Sequence, residues 1–251
     1  MKLIASALLG AALTLTGCAT APATITPSNI AEADRHTLII YHLEGRRSER
    51  IVWLAEELGI PYTLNYVRGD LTASMNAIRA VNPGMPVAPT VIYDGQVLTE
   101  SAAIMQVILD RQGNGRLIPA KTSPDYPNHM IWMHFAEGTL AADVIADYRT
   151  ARATTNVRPS GKESDGQRAM RFADTFLATH EYFGGKEFSA ADIMMWFPSD
   201  YADRIKVADM ALYPRLAAWQ DRMEARPAFQ RTLATARPDG RVGSSPALNE
   251  K

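Results

Sequence analysis

The stretch Pro89–Gly113, "PTVIYDGQVLTESAAIMQVILDRQG", decides the fold. Asp94-Gly95 sits between two short strand-like runs, the pattern of a two-residue hairpin. Leu98 ends the second run, and a helix is expected from about Glu100 to Arg111. Upstream, "ASMNAIRAVNPG" (73–84) reads as a short helix ended by Pro83 and Gly84, and "YTLNYV" (62–67) as a strand. "GRRSERIVWLAEELGIP" (45–61) reads as a helix with Ser48 as N-cap. Ile51, Val52, Leu54, Ala55 and Leu58 recur on one side of it, and Gly59 and Pro61 stop it. "TLIIYHL" (37–43) is a β-branched and aromatic run, short enough for a buried strand. The order is therefore strand, helix, strand, helix, hairpin, helix. Strands joined through a helix run parallel and strands joined by the tight turn run antiparallel, so a small mixed sheet with helices over it is predicted for residues 36–117.

Downstream, from Ser123, no strand pattern competes. "PDYPNHMIWMHFAEGTLAADVIADYRTA", "GQRAMRFADTFLATHEYF", "SAADIMMWFPSDYADRI" and "YPRLAAWQDRMEARPAFQRTLA" all read as helices, which makes residues 118–237 an all-helical domain. In "GKEFSAADIMMW" (185–196), Ser189 and Asp192 form a capping box, with Phe188 and Ile193 placed for a hydrophobic staple. "TTNVRPSGKESDG" (154–166) is the most loop-like internal stretch. Residues 238–251, "RPDGRVGSSPALNEK" from Arg237 on, have the composition of a loose tail.

The other end holds the single cysteine of the 251 residues, Cys18. "MK" and the apolar run "LIASALLGAALTL" precede it in the layout of a secretory signal, 1–17. Leu15-Thr16-Gly17-Cys18 resembles the lipobox of bacterial lipoproteins, in which the cysteine sulfur receives a diacylglyceryl group and the chain is cut just before it. That resemblance implies a lipid-anchored protein facing the periplasm, with Ala19 pointing to the outer membrane. Residues 18–35, rich in Ala, Thr and Pro, read as its tether. Net charge is −1, with 26 basic and 27 acidic residues, so no electrostatic footprint for nucleic acid is present. The five histidines show no metal spacing, and His134 with Glu137, one turn apart, lacks further ligands.

Four segments together resemble the glutathione S-transferase family over about Thr37 to Ala236. They are "YHLEGRRSERIVWLAEELGIPY" (41–62), "NPGMPVAPTVIYDGQVLTESAAI" (82–104), "WMHFAEGTL" (132–140) and "FSAADI" (188–193). The resemblance implies an α/β thioredoxin-like N-terminal domain followed by an all-α helical bundle, usually as a homodimer, which agrees with the reading from periodicity. It implies glutathione as co-substrate and no metal. Pro89 stands in the place of the family's cis-proline, which exposes the backbone of Ala88 to the cysteinyl part of glutathione. Glu100 and Ser101 stand in the place of the pair that binds the γ-glutamyl end.

Such a site must lower the pKa of the glutathione thiol, because the thiolate is the nucleophile. A shift of about two units corresponds to nearly 3 kcal/mol of preferential stabilisation of the anion. Many relatives place a serine two residues before Ser48; this chain has Arg46-Arg47-Ser48. Two hydroxyls are candidates for the missing donor, Tyr41 at the end of the first strand and Ser48 at the helix start. A guanidinium of Arg46 or Arg47 beside the thiolate would also lower its pKa. Trp132 and Phe135 are the candidates for a pocket accepting a small apolar electrophile. With Cys18 lipidated, the folded part has no thiol, which excludes a mixed disulfide through the protein's own cysteine and dithiol exchange. The expected function is conjugation of glutathione to small apolar electrophiles or reduction of organic peroxides. The rival reading is a non-catalytic module that retains glutathione or a hydrophobic ligand at the membrane.

Overall fold

The computed structural model describes residues 36–153 and 162–240. The expected lipid attachment at Cys18, the tether 18–35 and the stretch 154–161 lie outside the described residues, as does the tail beyond Gly240. Four strands form one sheet: β1 (Leu38–Tyr41), β2 (Thr63–Asn65), β3 (Thr90–Tyr93) and β4 (Gln96–Thr99), in the order β2-β1-β3-β4. β2 runs parallel to β1, and β3 and β4 are antiparallel to their neighbours. Asp94 (φ 51°) and Gly95 (φ 78°) both take left-handed backbone, the requirement of the tightest hairpin turn.

Helix α1 (Glu49–Leu58) links β1 to β2, α2 (Leu71–Val81) links β2 to β3, and α3 (Ser101–Gln112) follows β4. Gly59 ends α1 with left-handed backbone, and its N–H donates to the Ala55 carbonyl. The sheet is covered on both faces. Leu38 and Ile40 point into the main core with α1 and α3, while Tyr41 belongs to a smaller cluster with Leu43 and with Ile78 of α2. Strand alternation alone dictates that split.

The helical half contains α4 (Tyr126–Phe135), a π-helical turn (Ala136–Ala141), α5 (Ala142–Ala153), α6 (Asp165–Phe176), α7 (Ala190–Arg204), α8 (Pro214–Glu224) and α9 (Pro227–Ala236). The sequence pattern gives one continuous helix over 124–151; the structure breaks its phase with the π turn. Such turns recur at functional sites because they re-aim the side chains that follow. The main core runs without interruption from β1 to α9, so the two halves share it. Trp53 of α1 meets the rings of Trp196 (6.3 Å) and Phe229 (4.8 Å) edge-on.

The capping box at Ser189 is present. Asp192 accepts from the Ser189 N–H (2.9 Å), from the Phe183 N–H (2.9 Å) and from the Trp219 indole (2.9 Å). Burial pushes this carboxyl up to about 6, against the opposing pull of those donors. One side chain thus ties the start of α7, the preceding loop and α8. Replacing it strands buried donors, each costing about 1–3 kcal/mol. Asp192→Ala is expected to lower the melting temperature by roughly 6–15 °C, at about 2–4 °C per kcal/mol for a chain of this size. Thermal unfolding followed by circular dichroism checks it.

Candidate functional site

Strand register brings three sequence-distant segments to one sheet edge. Tyr41 pairs with Thr90, and Thr90 with Thr99, so His42, Pro89 and Glu100 leave the sheet side by side. The Ala88–Pro89 peptide is cis, and neither main-chain polar group of Ala88 has a partner among the described residues. Glu100 adopts φ 69° and ψ 112°, an uncommon backbone for a residue with a Cβ, and holds its exposed side chain at the N-cap position of α3. Strain of this kind clusters at ligand clamps. Ser101, 3 % exposed, accepts weakly from Arg50 Nη1 at 3.4 Å.

The loop between β1 and α1 is pinned at every second residue. Gly45 turns it with φ 69°, and its N–H donates to Glu49 Oε1 (2.7 Å). Glu49 also grips the Arg237 guanidinium, just past α9. His42 is fully buried between the Ser48 hydroxyl (Nδ1, 2.8 Å) and the Ala236 carbonyl (Nε2, 2.8 Å). A carbonyl can only accept, so Nε2 carries the proton and Nδ1 must accept from Ser48. The Leu43 N–H donates in turn to Ser48 Oγ (3.1 Å). Ser48 is fully buried, its hydroxyl lies between His42 and the Leu43 carbonyl (3.3 Å), and it makes no side-chain cap to α1. That departs from the N-cap expected of it, because the histidine six residues earlier competes for the same hydroxyl.

Tyr41 lies on the sheet face covered by α2, opposite the face on which α1 packs. Its ring is 9 % exposed beside Leu43 and Ile78. The N–H groups of Arg47 and Ser48, at the start of α1, have no acceptor among the described residues. The Arg46 side chain is half-buried beside Tyr201 and Arg204 of α7, and burial lowers its pKa.

Arg47 and Arg50 share one carboxylate. Arg47 Nε donates to both oxygens of Glu137 (2.8 Å each), and Arg50 Nη1 donates to Oε1 of the same group. Arg50 is 2 % exposed, and its Nη2 also donates to the Met194 carbonyl (2.8 Å). Burial pushes the Glu137 carboxyl up, but the charges of Arg50 and Arg47 outweigh it and hold it below the usual carboxylate range. Glu137 sits in the π turn and is a satisfied group, a bridge between the two halves. Sequence reasoning did not single out His42, Glu49, Arg50 or Arg237, whose partners lie up to 194 residues away. The available signal was Arg46, Arg47 and Arg50 crowding the positive end of a helix, where basic residues are disfavoured unless something holds them.

Trp132 and Phe135 pack against one another in the helical half at 4.9 Å. Trp132 is 1 % exposed and enclosed by Phe135, Phe176 and Phe183 at 4.6–4.9 Å, within the helical half. Aromatic rings beside the loop include Tyr66, edge-on to His42 at 5.0 Å, and Phe197, beneath the Arg47 and Arg50 guanidinium groups at 5.5 and 5.1 Å, with Tyr201 stacked on Phe197 at 5.7 Å. Among the described residues no group of three or more His, Cys, Asp or Glu is placed to hold a metal, and no helix is long and apolar enough to cross a membrane.

Two family models match this chain: glutathione S-transferase, N-terminal domain, over residues 46–111, and glutathione S-transferase, C-terminal domain, over residues 161–227. Together they cover just over half of it. The chain belongs to the glutathione S-transferase family. Glutathione S-transferase 3 of Schizosaccharomyces pombe is 28 % identical over 207 residues, covering 76 % of this chain and 84 % of the relative. A glutathione S-transferase from Actinobacillus pleuropneumoniae shares the fold with a TM-score of 0.65 at 23 % identity, over 80 % of this chain and 92 % of the other. A sphingomonad glutathione S-transferase solved with glutathione does so at 0.61 and 22 %, over 78 % and 96 %. The glutathione S-transferase fold expected from the sequence, a thioredoxin-like domain followed by a helical one, is the fold observed.

In this transferase-family chain the buried His42 sets a pH dependence. Burial lowers its pKa from 6.5 to about 4. The unfolded chain therefore binds the extra proton first, and stability drops as pH falls from about 6.5 to about 4, by roughly 3 kcal/mol for this group. His42→Gln is expected to show a shallower acid-side loss than the wild type, measured by urea unfolding at pH 7, 5.5 and 4.5.

Proposed function

We propose that this chain is a glutathione transferase that activates the thiol of glutathione without a side-chain hydroxyl. The observation that carries the reading is the convergence at one sheet edge of the unpartnered Ala88 main chain, the Glu100–Ser101 helix start and the open N–H groups at the start of α1. In this reading Ala88 pairs with the cysteinyl backbone of glutathione through main-chain hydrogen bonds. Glu100 takes the γ-glutamyl ammonium, and Ser101 with the N-terminus of α3 takes its carboxylate. The sulfur then lies at the start of α1. There the Arg47 and Ser48 N–H groups, the helix dipole and the Arg46 guanidinium favour the anion. The buried Ser48 hydroxyl is engaged by His42 and Leu43, and Tyr41 sits on the face covered by α2, which favours this set over either hydroxyl.

The thiolate attacks an electrophilic carbon, a carbon–sulfur bond forms, and the leaving group departs with the electron pair of the broken bond. With an organic hydroperoxide it takes the terminal oxygen and releases the alcohol. The thiol of a second glutathione then displaces hydroxide from the resulting sulfenate and gives the disulfide. Neither path calls on a cysteine of the protein. The proposal includes attachment to the bacterial membrane through a lipidated Cys18, facing the periplasm, and homodimer assembly, as the family resemblance implies.

The test of activation is the pH profile of kcat/KM for 1-chloro-2,4-dinitrobenzene, with the bound thiol titrated by its ultraviolet absorbance. Arg46→Ala is expected to raise the thiol pKa by about one unit and to cut the rate about tenfold near pH 6.5. Tyr41→Phe and Ser48→Ala are expected to leave that titration in place; a shift with Tyr41→Phe alone would return the role to the tyrosine. Glutathione binding with no turnover of either substrate type would favour the non-catalytic module. For the anchor, Cys18→Ala is expected to move the protein from the membrane fraction to the soluble one, and unchanged fractionation would refute it.

A further inference from the structure

The end of the last helix reaches back to the loop between β1 and α1. Arg237, the first residue past α9, is 9 % exposed and lays its guanidinium on Glu49, in the first turn of α1. Nε donates to one carboxylate oxygen and Nη2 to the other, the two-point geometry that arginine forms best. The oxygen that meets Nε also takes the Gly45 N–H at the bend of the loop. Glu49 is 4 % exposed, so little water screens its charge. It stands at the positive end of α1, where an ionised carboxylate opposes any other anion drawn to the same end. Burial lowers the pKa of Arg46 and the charge of Glu49 acts the other way, so the carboxylate is within electrostatic reach of that loop residue. Asp200 of α7 and Glu224 at the end of α8 add negative charge around Arg237. Asp200 is itself paired with Arg204, and the buried, neutral His42 lies on the loop side.

We propose that Arg237 is a positioning residue for glutathione activation: held in a closed ion pair with it, Glu49 shapes the loop without opposing a thiolate at the start of α1. The inference rests on the glutathione reading above and deepens it. The carboxylate is needed for geometry, because it takes the Gly45 N–H where the backbone turns through the left-handed region. Its charge is a liability in the same place. Without Arg237 the positive end of α1 faces two anions, one of them built into the protein, and the thiol keeps its proton to higher pH. Arg237 touches neither the sulfur nor the rest of the peptide in this reading. It acts through Glu49 alone, from the far end of the chain.

The experiment uses the full-length protein and titrates the thiol of bound glutathione by its ultraviolet absorbance. Calorimetric binding of S-methylglutathione, which has no thiol to ionise, runs beside it. Arg237→Gln is expected to raise the thiol pKa by about one unit and to leave the S-methylglutathione affinity unchanged. Arg237→Lys, which keeps the charge, is expected to hold the wild-type value. The double variant Glu49→Gln with Arg237→Gln removes both charges, keeps an acceptor for Gly45, and is expected to restore the wild-type pKa. Arg231→Gln cuts a different bond from α9 to α1, to Glu56 at 2.7 Å, and is expected to leave the titration alone. An unchanged thiol pKa in Arg237→Gln overturns the inference while the glutathione site stands. A raised value that the double variant fails to restore, or a parallel loss of S-methylglutathione affinity, makes Arg237 a structural prop and also overturns it. If the wild type binds neither peptide, the glutathione reading falls and this inference with it. Should Arg237→Gln not fold, Glu49→Gln decides: a thiol pKa below the wild-type value is expected, and an equal or higher one refutes the role.

Discussion

A guanidinium almost wholly withdrawn from water has to be met by an opposite charge, and the rest of this site is arranged around that requirement at Arg50. Leaving such a group uncompensated would cost several kcal/mol, a large part of what holds a domain together. Glu137 meets it from the helical half, and the Met194 carbonyl takes a second N–H. The ion pair need not add net stability over an apolar substitute. What it does is fix geometry: Glu137 and the Met194 carbonyl tie the first turn of α1 to the π turn and to the middle of α7 through Arg50. The loop that would cradle the sulfur hangs from that turn.

The same logic explains why the hydroxyl search in the sequence ended elsewhere. A serine at a helix start ordinarily caps the helix, and Ser48 stands where a cap belongs. Its hydroxyl instead engages His42, because a neutral imidazole whose Nε2 faces a carbonyl leaves Nδ1 needing a donor. The hydroxyl is then spent on holding the loop closed. In the proposed function, electrostatics near the sulfur passes to backbone N–H groups and arginines, which need no proton transfer to stabilise an anion.

Much of the fold was legible because it is written locally. Asp94-Gly95 specified the hairpin, Gly59 the end of α1, and Ser189 with Asp192 the start of α7; each acts over two to four residues. Pro89 and Glu100 were legible through family resemblance, and register then explains why they are neighbours. What stayed hidden depends on long-range pairing. Nothing local to Arg50 or Glu137 announces their pairing, which spans 87 residues. The π turn was hidden for another reason: a one-residue change of helical phase leaves composition and periodicity almost unaltered. Trp132 and Phe135 were chosen as pocket candidates from residue type, but aromatic rings serve a core equally well, and phenylalanines surround Trp132.

The clamp between the first loop and the last helix sets the timing of biosynthesis. The loop after β1 is secured by the carbonyl of Ala236 and the side chain of Arg237, so a nascent chain that already displays β1 and α1 still lacks the parts that shape its active loop. Synthesis proceeds at about 5–20 residues per second, so roughly ten to forty seconds separate the emergence of the two ends. During that interval the N-terminal domain leaves the ribosome with its cleft unfinished, and a prematurely terminated polypeptide would never complete it.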